Sequence, residues 1–373
     1  MKKIRVLHVA NQMNLGGVER WLLGIAEELK GTNIQIDILV HSAKPGVLDS
    51  QFEGFGVNLI PCLGHKNPLK YIFNLIKILR TREPYDVVHS HVLYFSGIVL
   101  FSAWFARVPI RISHAHSNRS DIEPKKGIRA LYIKFMKKLI KHFATKYLAV
   151  SHEAHKSVHT GEIDNAKLEI LYCGIKHLDR VKNDSKLKES LGLKDTELVL
   201  GHVGRMSEPK NHKFLLQIFK SLKESVPAKL ILVGDGELHQ EIVDSITELA
   251  LTNDVLMLGA RSDAVDIMAS AFDVIAFPSL YEGLPLTVVE AQAVGVPILI
   301  ADNITKEAEF NSALVDYMSL KCTAKNWADK TQAMAEKSDV CVNRELINDK
   351  FKETDFYLPN HIKNLKRIYS NSL

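Results

Sequence analysis

Cysteine is scarce in this sequence: four among 373 residues, at 62, 173, 322 and 341, with no CxxC pair and no zinc-knuckle spacing. That excludes a disulfide framework and suits a reducing compartment. Long apolar runs are missing too. The most apolar stretch, GIVLFSAWFA at 97–106, is about half of the ~20 residues a membrane-spanning helix needs. The opening MKKIRVLHVANQMNLGG lacks the longer apolar core and small-residue cleavage site of a secretory signal. Charge of one sign is in slight excess only, +5 net, which by itself calls for no nucleic acid. A soluble cytoplasmic chain, able to touch a membrane surface, is the expectation. Several catalytic signatures are absent as well: no G-x-S-x-G elbow, no Walker loop, no G-x-G-x-x-G and no Asp-x-Asp. A nicotinamide oxidoreductase would want that glycine fingerprint and an acid about 20 residues beyond it.

What is present is an ordinary globular mixture, 46% hydrophobic and 24% charged, at a length that fits two domains. Short β-branched runs alternate with longer amphipathic stretches, the pattern of a parallel sheet covered by helices. In the first half the pattern predicts strands at 5–9, 35–40, 58–60, 87–89, 110–114 and 147–150. Helices are expected at about 18–30, 68–82, 94–106 and 127–146. The strands are nearly continuous apolar runs, as where both faces of a sheet are buried. Residues 176–197 are charged and polar and read as a linker region. The rhythm then restarts, with strands at 199–203, 229–233, 255–258, 274–277 and 298–301. The fold class is therefore α/β, two doubly wound parallel-sheet domains at 1–175 and 176–354. A C-terminal helix within about 355–373 packs back on the first. Ligands bind at the carboxyl ends of such sheets, so the default site is the cleft between the halves.

Three loops at strand ends carry chemistry. In FPSLYEGLPLTVVEAQAVGVPIL, Glu282 sits in a loop after a strand and Glu290 about one and a half turns into the following helix. One carboxylate can reach a ligand lying before the helix, the other can accept hydroxyl hydrogen bonds beside it, and the helix-start amides near Gly283 and Leu284 attract phosphate. The spacing alone also fits a surface acid and a helix acid in an ordinary βα unit. The loop Gly204–Arg205–Met206–Ser207–Glu208–Pro209–Lys210–Asn211 combines a close-approach glycine with two cations able to hold and neutralise a diphosphate, or merely solvated. Gly234–Asp235–Gly236 is a further glycine turn, of a common kind.

Together, GGVER at 16–20, GRMSEPKN at 204–211, VGDG at 233–236 and EGLPLTVVEAQAVGVPI at 282–298 resemble the family 4 retaining glycosyltransferases, over nearly the whole chain. Within that family the sequence is most similar to enzymes of capsule, exopolysaccharide and O-antigen assembly. The resemblance implies a GT-B fold and a nucleotide-sugar donor. It assigns Arg205 and Lys210 to the donor diphosphate, Glu290 to the ribose hydroxyls and Glu282 to the donor sugar. Gly16 and Gly17 match the loop that approaches the phosphates, and Gly204 and Gly234 fall in the donor-side glycine turns. Where the family often has Asn–Gly–Val–Asp, this chain has Cys173–Gly174–Ile175–Lys176.

Two His–x–His pairs, His89/His91 and His114/His116, end apolar strands. On a strand, residues two apart share a face and can chelate a metal, but the sequence points to no third ligand and no second shell. The resemblance gives His116 a place near the donor sugar and acceptor, with His114 the runner-up. No metal and no cofactor is expected, since Arg205, Lys210 and helix amides would compensate the diphosphate.

The stretch 125–146 carries eight Lys/Arg (125, 126, 129, 134, 137, 138, 141, 146) and no acid, with apolar residues from Ile128 to Phe143 at helical spacing. The apolar stripe is expected to face the core, leaving a basic face for an anionic membrane surface or for water. No base-reading module accompanies the charge, so no nucleic acid is expected.

The expected activity is a metal-independent retaining transfer of a sugar from a nucleotide diphosphate, a UDP-sugar first and a GDP-sugar second, to a hydroxyl of a glycan or lipid-linked acceptor. A nucleotide-sugar-binding module without turnover and a sugar-nucleotide epimerase on the same fold remain as alternatives.

Overall fold

The computed structural model describes residues 3–14, 16–64, 67–118, 123–124, 126–159, 164–176, 185–338 and 344–370. The expectations placed on Lys125, on Cys341 and on part of the linker (177–184) lie outside those residues. The chain divides into two compact units, Met1–Lys176 with Asp355–Leu373, and His177–Thr354.

The first unit is a seven-stranded, all-parallel sheet of β1 (Ile4–Ala10), β2 (Ile34–Val40), β3 (Asn58–Pro61), β4 (Val87–Ser90), β5 (Ile110–Ala115), β6 (Lys146–Ala149) and β7 (Leu168–Ile170). Its strand order is β3-β2-β1-β4-β5-β6-β7. Strands such as IRVLHVA and IQIDILV are apolar almost throughout because helices cover both faces. The direction of winding reverses between β1 and β4, where register pairs His8 with His89. That reversal opens a crevice beyond the strand ends.

The Gly17–Leu29 helix buries Trp21, Leu22, Ile25 and Leu29, at spacings of one, three and four, against this sheet. The C-terminal helix Leu358–Ser370 turns Leu358, His361, Ile362, Leu365, Ile368 and Tyr369 inward. Leu358 lies over Gly24, where an added Cβ would stand 3.3 Å from its Cδ2. Backbone pairing of Ile175 N with Phe356 O (2.8 Å) and of Leu358 N with Ile175 O (3.1 Å) brings the tail onto the first unit. Each large apolar side chain sealed there contributes about 1.5–3 kcal/mol.

The second unit repeats the plan with six parallel strands: β8 (Leu198–Val203), β9 (Ala228–Val233), β10 (Val255–Met257), β11 (Val274–Phe277), β12 (Ile298–Ala301) and β13 (Val315–Met318). The order is β10-β9-β8-β11-β12-β13, and the switch falls between β8 and β11.

Some boundaries differ from expectation. β7 and β13 are edge strands that the periodicity did not reveal: LEI is three residues long and VDYM alternates polar with apolar. Within the charged stretch at 176–197, Ser185–Ser190 is a helix, and Lys188 Nζ pairs with Asp273 Oδ1 at 3.0 Å. The basic helix runs over Ile128–Phe143 and not to 146. Ala144 is extended, Thr145 N donates to Arg111 O, and Lys146 opens β6.

The apolar positions of that helix form two stripes. Ile133, Met136, Ile140 and Phe143 are buried, as a core face requires. Ile128, Leu131, Tyr132 and Phe135, spaced i, i+3, i+4, i+7, are exposed, Ile128 by 90%. The expectation of a single core-facing stripe is thus corrected. Arg129, Lys134, Lys138 and Lys141 are exposed on the same helix, whereas Lys137 is tied to Glu123 at 2.9 Å. No helix among the described residues is long and apolar enough to cross a membrane.

Candidate functional site

In the second unit three loops meet beyond the carboxyl ends of β8, β9 and β11. The loop after β8 starts at Gly204, whose N donates to Val233 O (3.0 Å), and Met206 N donates to Asp235 O (3.0 Å). The loop after β9 starts at Gly234, at φ +145°, where a Cβ would lie 1.9 Å from the Gly204 carbonyl oxygen. A Cβ on Gly236 would lie 2.4 Å from Met206 O. These glycines let two backbones touch where any side chain would hold them apart.

Beyond Gly204 a short 3-10 turn, Glu208–Lys210, is followed by Asn211 in the left-handed region (φ +54°). Asn211 Nδ2 donates to Pro278 O at 3.1 Å, and Leu280 N donates to Pro209 O at 2.8 Å, so the loops after β8 and β11 are joined at two points. The joint brings Lys210 Nζ to 2.7 Å from Glu282 Oε1, with each side chain about 15% exposed. The ammonium also sits 4.6 Å from the centre of the Phe277 ring, a cation–π contact.

The Leu286–Ala293 helix starts just after, with Pro285 as its N-cap residue and Thr287 Oγ1 donating to Val203 O (3.1 Å). Gly283 and Leu284 are buried immediately before it, and Glu290 is half-buried in its second turn. Gln292 ties this helix to the segment at 308–311: its Nε2 donates to Val288 O and Ala308 O, and its Oε1 accepts from Phe310 N and Asn311 N.

Lys210 and Glu282 are therefore brought together, beside Gly204, Gly234, Gly283 and Leu284. Arg205 is instead exposed and paired with Glu237 at 3.0 Å. Sequence reasoning missed His202. It is the last residue but one of β8 and fully buried, with Nδ1 3.1 Å from Ala276 O and Nε2 without a partner among the described residues. Burial, with His212 and Lys210 close by, holds His202 well below the ordinary histidine pKa of 6.5. His212, its ring 4.9 Å away, is lowered to about 4 by burial and then by Lys210. An apolar run such as LVLGHV gives no sign that its histidine is neutral and sealed.

Both imidazoles are neutral in the fold, so the unfolded chain takes up protons first as pH falls. Their stabilisation is complete above pH 6.5 and drains away below it, toward the folded-state values. Between pH 7 and 5.5 the two together remove about 2 kcal/mol of stability. The His212→Gln variant should lose about 1 kcal/mol less over that interval, read as urea midpoints. Equal losses in variant and parent would sink this assignment.

In the first unit, Gly16 caps the Gly17–Leu29 helix and its carbonyl accepts from Arg20 N (3.0 Å). His116, half-buried just past β5, belongs to a larger cluster with His8, His89, His91 and His114. Nδ1 of His8 lies 2.9 Å from His91 Nε2, and His91 Nδ1 lies 2.9 Å from His116 Nε2. His89 Nε2 is 3.0 Å from His114 Nδ1. Burial, reinforced by the neighbouring imidazoles, keeps all five neutral, with His8 and His116 lowered to about 3.

Two doubly wound sheets, one with three interlocked loops and a lysine–carboxylate pair at its switch point, define an α/β protein of the GT-B kind. Comparison with known proteins agrees. Residues 15–177 match the family described as Glycosyltransferase Family 4, and residues 183–346 the one described as Glycosyl transferases group 1. EpsF of Bacillus subtilis (strain 168) is 30% identical over 377 residues, covering 99% of this chain and 97% of its own. The UDP-Gal:alpha-D-GlcNAc-diphosphoundecaprenol alpha-1,3-galactosyltransferase of Escherichia coli is 29% identical over 334 residues, 84% of each. The crystal structure of Anabaena Alr3699/HepE in complex with UDP-glucose has a similar fold, with TM-score 0.79 and 19% identity over 99% of this chain and 100% of that one. The chain belongs to glycosyltransferase family 4.

Proposed function

We propose that this glycosyltransferase moves a sugar from a nucleoside diphosphate, a UDP-sugar before a GDP-sugar, to a hydroxyl of a lipid-linked or free glycan in cell-surface polysaccharide assembly, with retention of configuration. The observation that carries the reading is the Lys210–Glu282 pair, 2.7 Å apart at the mouth of the glycine-lined loops. A fixed cation there neutralises a departing diphosphate without a metal ion, helped by Arg205 and by the helix-start amides after Gly283 and Leu284. Glu282 accepts from a sugar hydroxyl and Glu290 from the ribose. In the first unit Gly16 and Gly17 serve the phosphates and His116 the sugar side. An acceptor hydroxyl forms the new bond to the anomeric carbon as the bond to the diphosphate breaks, and its proton passes to the leaving phosphate oxygen.

A lipid-linked acceptor is supported by the Escherichia coli relative, whose name carries both UDP-Gal and a diphosphoundecaprenol-linked sugar. The exposed stripe of Ile128, Leu131, Tyr132 and Phe135 beside Lys134, Lys138 and Lys141 suits an anionic cytoplasmic leaflet, each nearby cation contributing about 1 kcal/mol.

One preparation tests both statements. In a thermal-shift panel of UDP, GDP, ADP and their common sugars, UDP and its sugars should raise the melting temperature equally with and without EDTA. The same protein should pellet with phosphatidylglycerol vesicles and not with phosphatidylcholine ones. No shift with any nucleotide removes the donor assignment, a shift abolished by EDTA removes its metal independence, and absence of pelleting removes the membrane surface.

A further inference from the structure

The two His–x–His pairs lie on adjacent strands, and the fold supplies what their sequence could not show, a third ligand and an outer shell. One ring nitrogen from each of His91, His114 and His116 lies within 4.8 Å of the other two. A metal at the usual 2.0–2.1 Å from three imidazoles needs nitrogens about 3.3 Å apart. Nδ1 of His91 and Nε2 of His116 stand at 2.9 Å, a few tenths of an ångström from that spacing. His114 keeps one nitrogen free for a ligand, since its Nδ1 lies 3.0 Å from His89 Nε2 and its Nε2 is buried and without a partner among the described residues.

We propose that His91 Nδ1, His114 Nε2 and His116 Nε2 bind one divalent transition-metal cation of the zinc and cobalt class, with water completing its coordination and the buried Trp21 ring packed 5.3–5.4 Å from all three imidazoles. Neutral imidazoles favour such ions over magnesium or calcium.

The outer shell supports the assignment. A ligating imidazole holds its proton on the nitrogen away from the metal and donates it to a fixed acceptor. His91 Nε2–H then donates to His8 Nδ1 at 2.9 Å, and His114 Nδ1–H donates to His89 Nε2 at 3.0 Å. His116 Nδ1 faces Cys173 Sγ at 4.0 Å. His8 Nε2 and His89 Nδ1 in turn lie 3.4 Å and 2.8 Å from the Tyr369 hydroxyl, whose two lone pairs accept from both. Both chains of protons thus run from the metal to one tyrosine on the C-terminal helix. Each imidazole keeps one proton, so binding needs only a change of tautomer. The inner trio of His8, His89 and His91 is a poorer cage, because both nitrogens of His89 are already engaged and all three are buried. Since His116 also serves the transfer reading, the test reads binding and not turnover.

Full-length protein without an affinity tag, stripped with EDTA, should take up one equivalent of Co2+ and develop the intense visible absorption of a four-coordinate ion, with no response to Mg2+. His116→Ala should abolish that absorption. Tyr369→Phe, which deletes the hydroxyl behind the ligands' own partners, should keep the fold and weaken Co2+ binding, by less than the roughly 10–100-fold that losing a direct partner of a ligand costs. Substoichiometric uptake without the absorption overturns the proposal, as does Co2+ binding unchanged in both variants.

Discussion

The Lys210→Ala variant should fold normally and lose about 10²–10³ of its transfer rate, the cost of removing one preorganised charge from a leaving-group site. Removing the ammonium does two things at once. It takes away the cation that meets the departing diphosphate, and it leaves the Glu282 carboxylate, 2.7 Å from where that cation stood, to repel it. Glu282→Ala should fall by a similar factor for a different reason: Lys210 Nζ keeps its place over the Phe277 ring but loses the carboxylate that fixes it, and the donor sugar loses an acceptor.

Because the two side chains touch, their effects should not add. The double variant is expected to be little worse than Lys210→Ala alone, whereas two independent contributions would multiply. Each single variant should also lose some stability, since the partner left behind is only about 15% exposed and no longer paired, so rates are compared on protein that melting curves show to be folded. Turnover assays with UDP-sugars on the three variants, together with melting curves, decide this. Near-parental rates in both single variants would remove the donor site from these loops, and a product of the two losses in the double variant would separate the residues' roles.

The contact between Lys210 and Glu282 spans 72 residues, and its place in the chain shows what is legible in a sequence and what is not. Buried parallel strands announce themselves, because a strand covered on both faces is apolar nearly throughout, as in VIAF and ILIA. Motifs at strand ends are legible in combination, since the glycine, lysine and glutamate turns each fit an ordinary loop when taken singly. Adjacency is not. That β11 lies beside β8, and β4 beside both β1 and β5, follows from the order of winding, which leaves no local mark. So Glu282 and Lys210 read as separate loop residues, and the histidine pairs as isolated chelates. The Ile128–Phe143 helix fails for another reason. Its apolar residues cover more than one face, and periodicity does not tell which stripe the fold hides, so Leu131 and Phe135 read as core together with Met136, while the buried Ile133 goes unread. Gln292 is similar: only the fold shows that one amide satisfies four backbone groups.

The glycine turn after β9, which reads as common in the sequence, is expected to be nearly as unforgiving as the lysine. At Gly234 an alanine methyl carbon would lie 1.9 Å from the Gly204 carbonyl oxygen, on backbone at φ +145° that L side chains rarely adopt. Neither partner can yield cheaply. Gly204 N is held by Val233 O, Gly234 N by Gly259 O, and Met206 N by Asp235 O, all within 3.0 Å. Backbone strain and overpacking each cost about 1–3 kcal/mol, so Gly234→Ala should be destabilised by about 3 kcal/mol. For a unit of this size that lowers the melting temperature by roughly 10 °C. The relief open to the chain is to push the Gly204–Lys210 loop outward, which carries Lys210 away from Glu282, so UDP should cease to protect the variant. Gly192→Ala is the control. Gly192 also has positive φ (+70°) and lies in the same unit, but an added Cβ there meets nothing within 4 Å. It should show the strain alone, about 1 kcal/mol, with UDP protection intact. If the two alanine variants melt together and bind UDP alike, the close approach of the β8 and β9 loops has no part in forming the donor site.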